Sequence, residues 1–430
     1  MKKKLLALMM SAVMVCSFTA CAQGQGAAPA ADAGSTDAGS AETGSEDAGS
    51  SDAGSTDAGK AAEGGSGALT GTLKVGMIGP LTGAAALYGN AVTNGTKIAV
   101  DEINEISSDF KMEYQPEDDE HDAEKSVNAY NKLKDWNVQA IVGCVTTTPC
   151  VAVAAEANND RVFMLTPSAS ATSVTEQGDD IFQLCFSDPN QGSASAQYIK
   201  DNNLGSKIAI IYNNSDVYST GIYQTFSNKA AEVGLEIVST TTFTDDTAND
   251  FSVQLTDAKD NGADLIFLPI YYTPASLILQ QADKMGYKVP MFGVDGMDGI
   301  LGLEGFDTKL AEGVMLLTPF SADATDDKTV NFVKKYQDSF KEVPIQFAAD
   351  GYDCPYAIYE ALKFYADKNG GLDVTDKSNE DICEILVSVF SDPSFSVDGI
   401  TGEGMTWTAD GEVNKAPKAV VIKDGVYVGL

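Results

Sequence analysis

The chain has 430 residues, with 62 Asp and Glu against 28 Lys and Arg, a formal charge of −34. A surplus of that sign repels phosphate backbones, so nucleic acid and an anionic bilayer surface do not fit as direct partners. Arg161 and His121 are the only arginine and histidine, which removes the usual guanidinium clamp for phosphates or dicarboxylates and any serine–histidine relay except around His121.

Residues 1–21 read as an export leader: Lys2, Lys3 and Lys4, an apolar run from Leu5 to Val15, then Phe18-Thr19-Ala20-Cys21. The run is shorter than the roughly 20 residues a spanning helix needs. Phe18 to Cys21 resembles a bacterial lipobox, which implies cleavage before Cys21 and lipidation of its thiol. An ordinary cleaved leader with an incidental cysteine is the alternative.

Residues 22–70 are mostly Ala, Gly, Ser, Thr and acids in an approximate five-residue repeat, from Asp32-Ala33-Gly34-Ser35-Thr36 through Asp52-Ala53-Gly54-Ser55-Thr56. Without large apolar groups such a stretch cannot offset its ordering entropy, and a disordered tether is expected. About 47 residues of it would reach about 35–40 Å, consistent with an anchored Cys21 and a mobile head.

From Thr72 to about Leu317, apolar β-branched runs alternate with amphipathic stretches. Strands are predicted at Leu73–Ile78, Met112–Gln115, Ala140–Val142, Val162–Leu165, Ile208–Tyr212, Glu236–Thr241, Leu265–Leu268 and Met291–Phe292. Helices are predicted between them at Ala91–Glu105, Ala123–Asp135, Gly192–Asn202, Ser219–Val233, Phe251–Asn261 and Pro274–Met285. This alternation argues for an α/β fold with two doubly wound parallel-sheet lobes. Three more helices, Asp327–Phe340, Gln346–Tyr365 and Asn379–Phe390, precede a hairpin at Lys418–Val428, where Asp424-Gly425 is a strong turn signal. Helices followed by a terminal hairpin imply that the chain crosses back between lobes through a multi-strand hinge. We expect residues 71–189 with 320–414 to form lobe 1, and 190–319 with 415–430 to form lobe 2.

His121 lies in the polar run Glu117–Asp122, read as a solvated loop, with a calcium or other metal site as the alternative. Once Cys16 has left and Cys21 is acylated, Cys144, Cys150, Cys185, Cys354 and Cys383 remain. They show no CxxC spacing, so buried apolar thiols are expected and neither metal nor cofactor.

Seven residues stand out because each follows a strand-like run or sits in the loop after one: Tyr88, Thr147, Ser168, Ser170, Tyr218, Tyr271 and Asp295. In an open α/β sheet such positions converge on the crevice beyond the strand ends. Hydroxyls and helix-start amides suit a carboxylate and Asp295 suits an ammonium, so the set suggests a small zwitterion. The rival readings are a helix cap at Thr147, an ST-turn at Ser168 and Ser170, plain packing for the tyrosines and a turn aspartate at Asp295. No convergent acid/base pair is visible, and an enzyme is not expected.

Lys74-Val75-Gly76-Met77-Ile78-Gly79-Pro80-Leu81-Thr82-Gly83, followed by Tyr88-Gly89 and Ala99 to Asn104, resembles the opening of the leucine/isoleucine/valine-binding proteins of ABC importers. The similarity continues through Ile141-Val142-Gly143, Thr166 to Ser170, Phe182 to Gly192, Ile208 to Gly221, Ala263-Asp264 and Gly293 to Gly296. It implies a type I periplasmic binding protein-like fold. Thr147 would then hold the ligand α-carboxylate, Ser168 would offer a carbonyl, Ser170 would touch both ligand ends, Tyr218 and Tyr271 would close over the ligand, Asp295 would pair with the α-ammonium, and Tyr88 would line the side-chain pocket. The family pattern has Glu where Asp295 stands, and Cys144 lacks the disulfide partner some relatives have. The resemblance implies a lipid-anchored, extracytoplasmic protein that takes a neutral, aliphatic or branched-chain amino acid by hinge closure. Its partners would be that amino acid, an ABC permease and the membrane reached through the lipid, with the chain itself a monomer. A receptor for an amide, urea or short peptide, or a surface sensor, is the rival.

Overall fold

A computed structural model of the chain describes residues 67–375 and 377–430. The leader, Cys21 and residues 22–66 of the expected tether lie outside the described residues.

Ten strands alternate with helices along most of this chain. Strands β1 (Leu69–Gly79), β2 (Phe110–Asp118), β3 (Ala140–Gly143), β4 (Phe163–Thr166) and β5 (Ile181–Gln183) are followed by β6 (Lys207–Asn213), β7 (Glu236–Phe243), β8 (Leu265–Leu268), β9 (Met291–Gly293) and β10 (Met315–Thr318). The pair β11 (Leu372–Asp373) and the hairpin β12 (Lys418–Lys423) and β13 (Val426–Gly429) complete the set. The helices are α1 (Ala86–Ile106), α2 (Ala123–Asp135), α3 (Thr147–Asp160), α4 (Thr172–Thr175), α5 (Asp188–Asp201), α6 (Val217–Val233), α7 (Ser252–Asp260), α8 (Tyr272–Lys284), α9 (Asp327–Phe340), α10 (Gln346–Asn369) and α11 (Asn379–Phe390).

Two sheets result. In the first, β2, β1, β3, β4 and β5 lie side by side and parallel, with β11 extending the N-terminal end of β1. In the second, β7, β6, β8, β9 and β10 are parallel, β12 adds antiparallel to β10, and β13 adds antiparallel to β12. All four residues of β3, β4 and β8 are buried, as expected of interior parallel strands covered by helices on both faces. The β12–β13 turn has Asp424 at φ 53° and Gly425 at φ 78°, the two positive angles a two-residue hairpin of right-handed twist requires. The chain passes between the sheets three times, after β5, after β10 and before β12.

Late helices return to the first sheet. Along α1, Ala91, Val92, Gly95, Ile98 and Ala99 are buried at helical spacing, and α10 packs against that stripe. Gly95 is needed there because a Cβ would collide with the Ala348 carbonyl of α10. Two sequence expectations are corrected. Leu69 and Thr70, assigned to the tether, already pair with Leu372 and Asp373, because their backbone forms a ladder with a late strand no local pattern announces. Helix α3 and strand β5 were also not delimited: α3 carries alanines and small polar groups on every side, and β5 has only three residues.

Among the described residues no helix is long and apolar enough to cross a membrane. The five cysteines Cys144, Cys150, Cys185, Cys354 and Cys383 are all buried and unpaired.

Candidate functional site

The ends of β1, β3 and β4 in one lobe and of β6, β8 and β9 in the other face a common cleft. Residues from both sides line it: Tyr88, Val145, Thr146, Thr147, Ser168 and Phe347 from the first, Tyr218, Tyr271, Asp295 and Gly296 from the second. The space among them is narrow, holding about one water-sized sphere. Six of the seven residues singled out from sequence are therefore together, while Ser170 stands behind the lining.

On the first side, β3 ends at Gly143 and α3 starts at Thr147. Thr146, not Thr147, is the cap residue; Thr147 is the first helical residue, buried, beside N–H groups that have no partner within the helix. A helix of 14 residues directs the positive end of its dipole at this spot. Neighbouring loops are stitched together here. Thr166 Oγ1 donates to the Cys144 carbonyl at 2.7 Å, and Ser168 Oγ donates to the Val145 carbonyl at 2.7 Å. The Ser168 hydroxyl is thus committed to holding the loop that carries Thr146 and Thr147. Tyr88, in the first turn of α1, donates to the Gly296 carbonyl across the cleft and accepts from Tyr272 N at 3.2 Å. Its ring packs on Phe347 at 4.3 Å between centroids.

On the second side, the Tyr218 and Tyr271 rings stack at 4.8 Å with 9° between planes. Asp295, 4% exposed, opens a 3-10 turn just after β9. It accepts from Tyr218 Oη at 2.6 Å and from Gln191 Nε2 at 3.0 Å. Burial pushes its carboxyl up to about 6, against the opposing pull of Tyr218, the Gly296 amide and Gln191. Gly296 leaves room for this arrangement, since a Cβ would stand 2.5 Å from Tyr218 Oη.

Ser170 and His121 depart from expectation. The Ser170 hydroxyl is buried without a hydrogen-bond partner, and the Ser170 carbonyl accepts from Asp188 N at 2.9 Å. His121 is half-buried rather than solvated: its Nδ1 is 2.8 Å from Thr146 Oγ1 and its ring meets Tyr271 edge-on at 5.7 Å. The polar run that holds it ends β2 and turns inward, burying Asp119, whose carboxyl rises to about 7 through desolvation. A run of acids reads as solvated until the fold shows which of them point inward.

Gln191, Thr146, Gly296 and Phe347 were not singled out from sequence. Gln191 had a signal. The buried face of α5 is Asp188, Gln191, Gly192, Ser195, Ala196 and Ile199, a helical stripe whose first turn is polar where an apolar one is expected.

Residues 72–377 match the periplasmic binding protein family. The chain belongs to that family. Among curated members, it is 29% identical over 229 residues to the Leu/Ile/Val-binding protein BraC3 of Rhizobium johnstonii, covering 52% of this chain and 62% of the relative. It is 25% identical over 275 residues to the leucine-, isoleucine-, valine-, threonine- and alanine-binding protein of Pseudomonas aeruginosa, covering 62% of this chain and 72% of that one. The matched stretch spans only 62% and 65% of the lengths of BraC3 and of a Brucella melitensis homologue. Among solved structures, the branched-chain amino acid transporter substrate binding protein LivJ from Streptococcus pneumoniae, in complex with isoleucine, superposes with a TM-score of 0.73 at 26% identity, over 84% of this chain and 100% of that one. A solute binding protein from R. palustris in complex with benzoate has a TM-score of 0.72 at 19% identity, over 84% and 96%, and shares the fold.

Proposed function

We propose that this member of the family is the extracytoplasmic substrate-binding component of an ABC importer and takes a neutral, aliphatic or branched-chain L-amino acid between its lobes. One observation carries the reading. Across a single cleft, the buried Asp295 carboxylate faces the start of α3 and Thr147, so one wall suits an ammonium and the other a carboxylate. Each contact is charge-assisted and strengthened by the exclusion of water. No arginine or lysine lines the cleft, which favours a neutral side chain over an acidic one, and the rings of Tyr88, Tyr271 and Phe347 supply apolar walls. The isoleucine-bound Streptococcus neighbour supports the same chemistry. An aromatic carboxylate such as the R. palustris neighbour holds would leave Asp295 buried without a cation.

Ligand contacts from both lobes stabilise the closed arrangement differentially, and the permease reads that arrangement. Cys21, lipidated, would hold the protein at the outer face of the membrane, with residues 22–66 as its leash. The role is binding, not catalysis.

A thermal-shift screen of the mature protein against the common amino acids, with benzoate and urea alongside, tests the proposal, since a ligand of the native state raises its stability by RT ln(1 + [L]/Kd). A shift with neutral aliphatic amino acids is the expected outcome. A shift with benzoate or urea alone overturns it.

A further inference from the structure

His121, the chain's one histidine, is turned inward by a backbone uncommon outside glycine: Glu120 and His121 both have positive φ, 49° and 61°. Asp119, fully buried, sets that turn, its Oδ1 accepting from His121 N at 2.8 Å and its carbonyl from Asp122 N at 2.9 Å. Tyr271 of the opposite lobe meets the ring edge-on, with 89° between planes. His121 is not among the residues lining the cleft, yet its Nδ1 lies 2.8 Å from the hydroxyl of one that is, Thr146.

That hydroxyl has a competing use. Thr146 is the cap residue of α3, with the extended backbone of a cap, φ −115° and ψ 151°. A threonine in that place ordinarily accepts from the second or third amide of its helix. Pro149 removes the third donor, which leaves the Thr148 amide. The Thr146 side chain makes no such bond; it reaches His121 instead. The first amides of α3 are therefore left open at the wall that suits a carboxylate. Were the hydroxyl to cap them, an incoming carboxylate would first have to displace it. We propose that His121 is a positioning residue for the ligand's carboxylate: without touching the ligand, it holds the Thr146 hydroxyl and so keeps the start of α3 uncapped. The assignment rests on the amino-acid reading above. Asp119 fixes the backbone beneath the imidazole and Tyr271 fixes its plane, so the ring holds the hydroxyl in one direction.

The test uses the full mature chain and calorimetric titration with L-leucine, L-isoleucine, L-valine and L-alanine. Binding of these amino acids by the unaltered protein judges the functional proposal; the variants judge this one. His121→Phe keeps a ring against Tyr271 and loses the nitrogen, which frees Thr146 to cap α3. It should lose on the order of tenfold in affinity, the strength of a helix cap that the ligand has to displace. Thr146→Val added to His121→Phe should return much of that loss, since no hydroxyl is left to cover the Thr148 amide, whereas the melting temperature of the ligand-free protein should not recover. His121→Asn places a carboxamide where Nδ1 stood and suits a positive φ, so it should recover most of the affinity that His121→Phe loses. Unchanged affinity in His121→Phe, or an asparagine variant equally weak, overturns the assignment. So does a double variant no better than His121→Phe alone, which would show that His121 only tethers the loop. His121→Ala with and without Thr146→Val asks the same question if the phenylalanine variant folds poorly.

Discussion

The Tyr218 hydroxyl donates to Asp295 Oδ1 at 2.6 Å while accepting from Gly296 N at 2.9 Å. One hydroxyl therefore fixes both the carboxylate and the backbone of the turn that carries it. Tyr218→Phe keeps the ring and its stack on Tyr271 but removes both bonds. We expect a loss of about 1–2 kcal/mol in amino-acid binding, roughly tenfold in Kd, with the fold intact. Titration of this variant at pH 7 checks it, and an unchanged Kd would show that Asp295 is held without Tyr218.

Asp295→Ala should cost more than Thr147→Ala. Removing the acid leaves a buried ammonium without its main partner, about 3–5 kcal/mol. Losing the Thr147 hydroxyl leaves the helix-start N–H groups of α3 to hold the carboxylate, and about 1–2 kcal/mol is expected. The order of the two losses, measured in one titration series, is the decisive quantity.

Acidification should stabilise the empty protein and weaken its ligand binding. Burial raises Asp216, Asp295 and Asp298 to about 6, and Asp119 and Asp350 to about 7. Between about pH 4, where such groups titrate when unfolded, and these values, the native state holds more protons than the unfolded chain, so stability falls as pH rises. His121, whose pKa burial lowers, opposes this with one group. The melting temperature of the ligand-free protein should rise from pH 7 to pH 5. Amino-acid affinity should fall over the same interval, because protonated Asp295 must lose its proton to meet an ammonium. A melting temperature that falls steadily on acidification would contradict the first claim.

A chain starting at Gly67 should keep the melting temperature and affinity of the mature protein, since residues 22–66 carry no large apolar side chains to bury. Starting instead at Gly71 removes the pairing of Leu69 and Thr70 with β11 and should lower the melting temperature measurably. Cys21→Ala should release the protein from washed membranes.

Lys415 is buried just before β12, its Nζ 2.6 Å from Thr401 Oγ1 and 3.3 Å from Asp350 Oδ1. Lys415→Met leaves Asp350 and Asp353 buried beside one another without their cation, and should cost about 3–5 kcal/mol of stability at pH 7. The deficit should shrink at pH 5, where Asp350 can take up a proton. Denaturant unfolding at the two pH values measures both.

Alternating apolar runs and amphipathic helices determined the α/β class and the doubly wound lobes, because a strand buried on both faces needs a continuous apolar run and its crossover helix needs a 3.6-residue stripe. The same periodicity located most of the cleft residues, since βα loops come together wherever such a sheet forms. Asp424-Gly425 announced its hairpin because such a dipeptide tolerates two positive φ angles cheaply. Tertiary structure decided what depends on burial rather than spacing. Gln191 became a partner of Asp295, 104 positions away, only when α5 packed onto the second sheet. Asp119 and His121 moved from an apparently solvated run to the edge of the site. Leu69 and Thr70 joined the fold through a strand some 300 residues later. Ser170 shows the limit most plainly: the sequence left it between an ST-turn and a ligand contact, and long-range packing buries its hydroxyl behind the lining, where Asp188 N donates to its carbonyl.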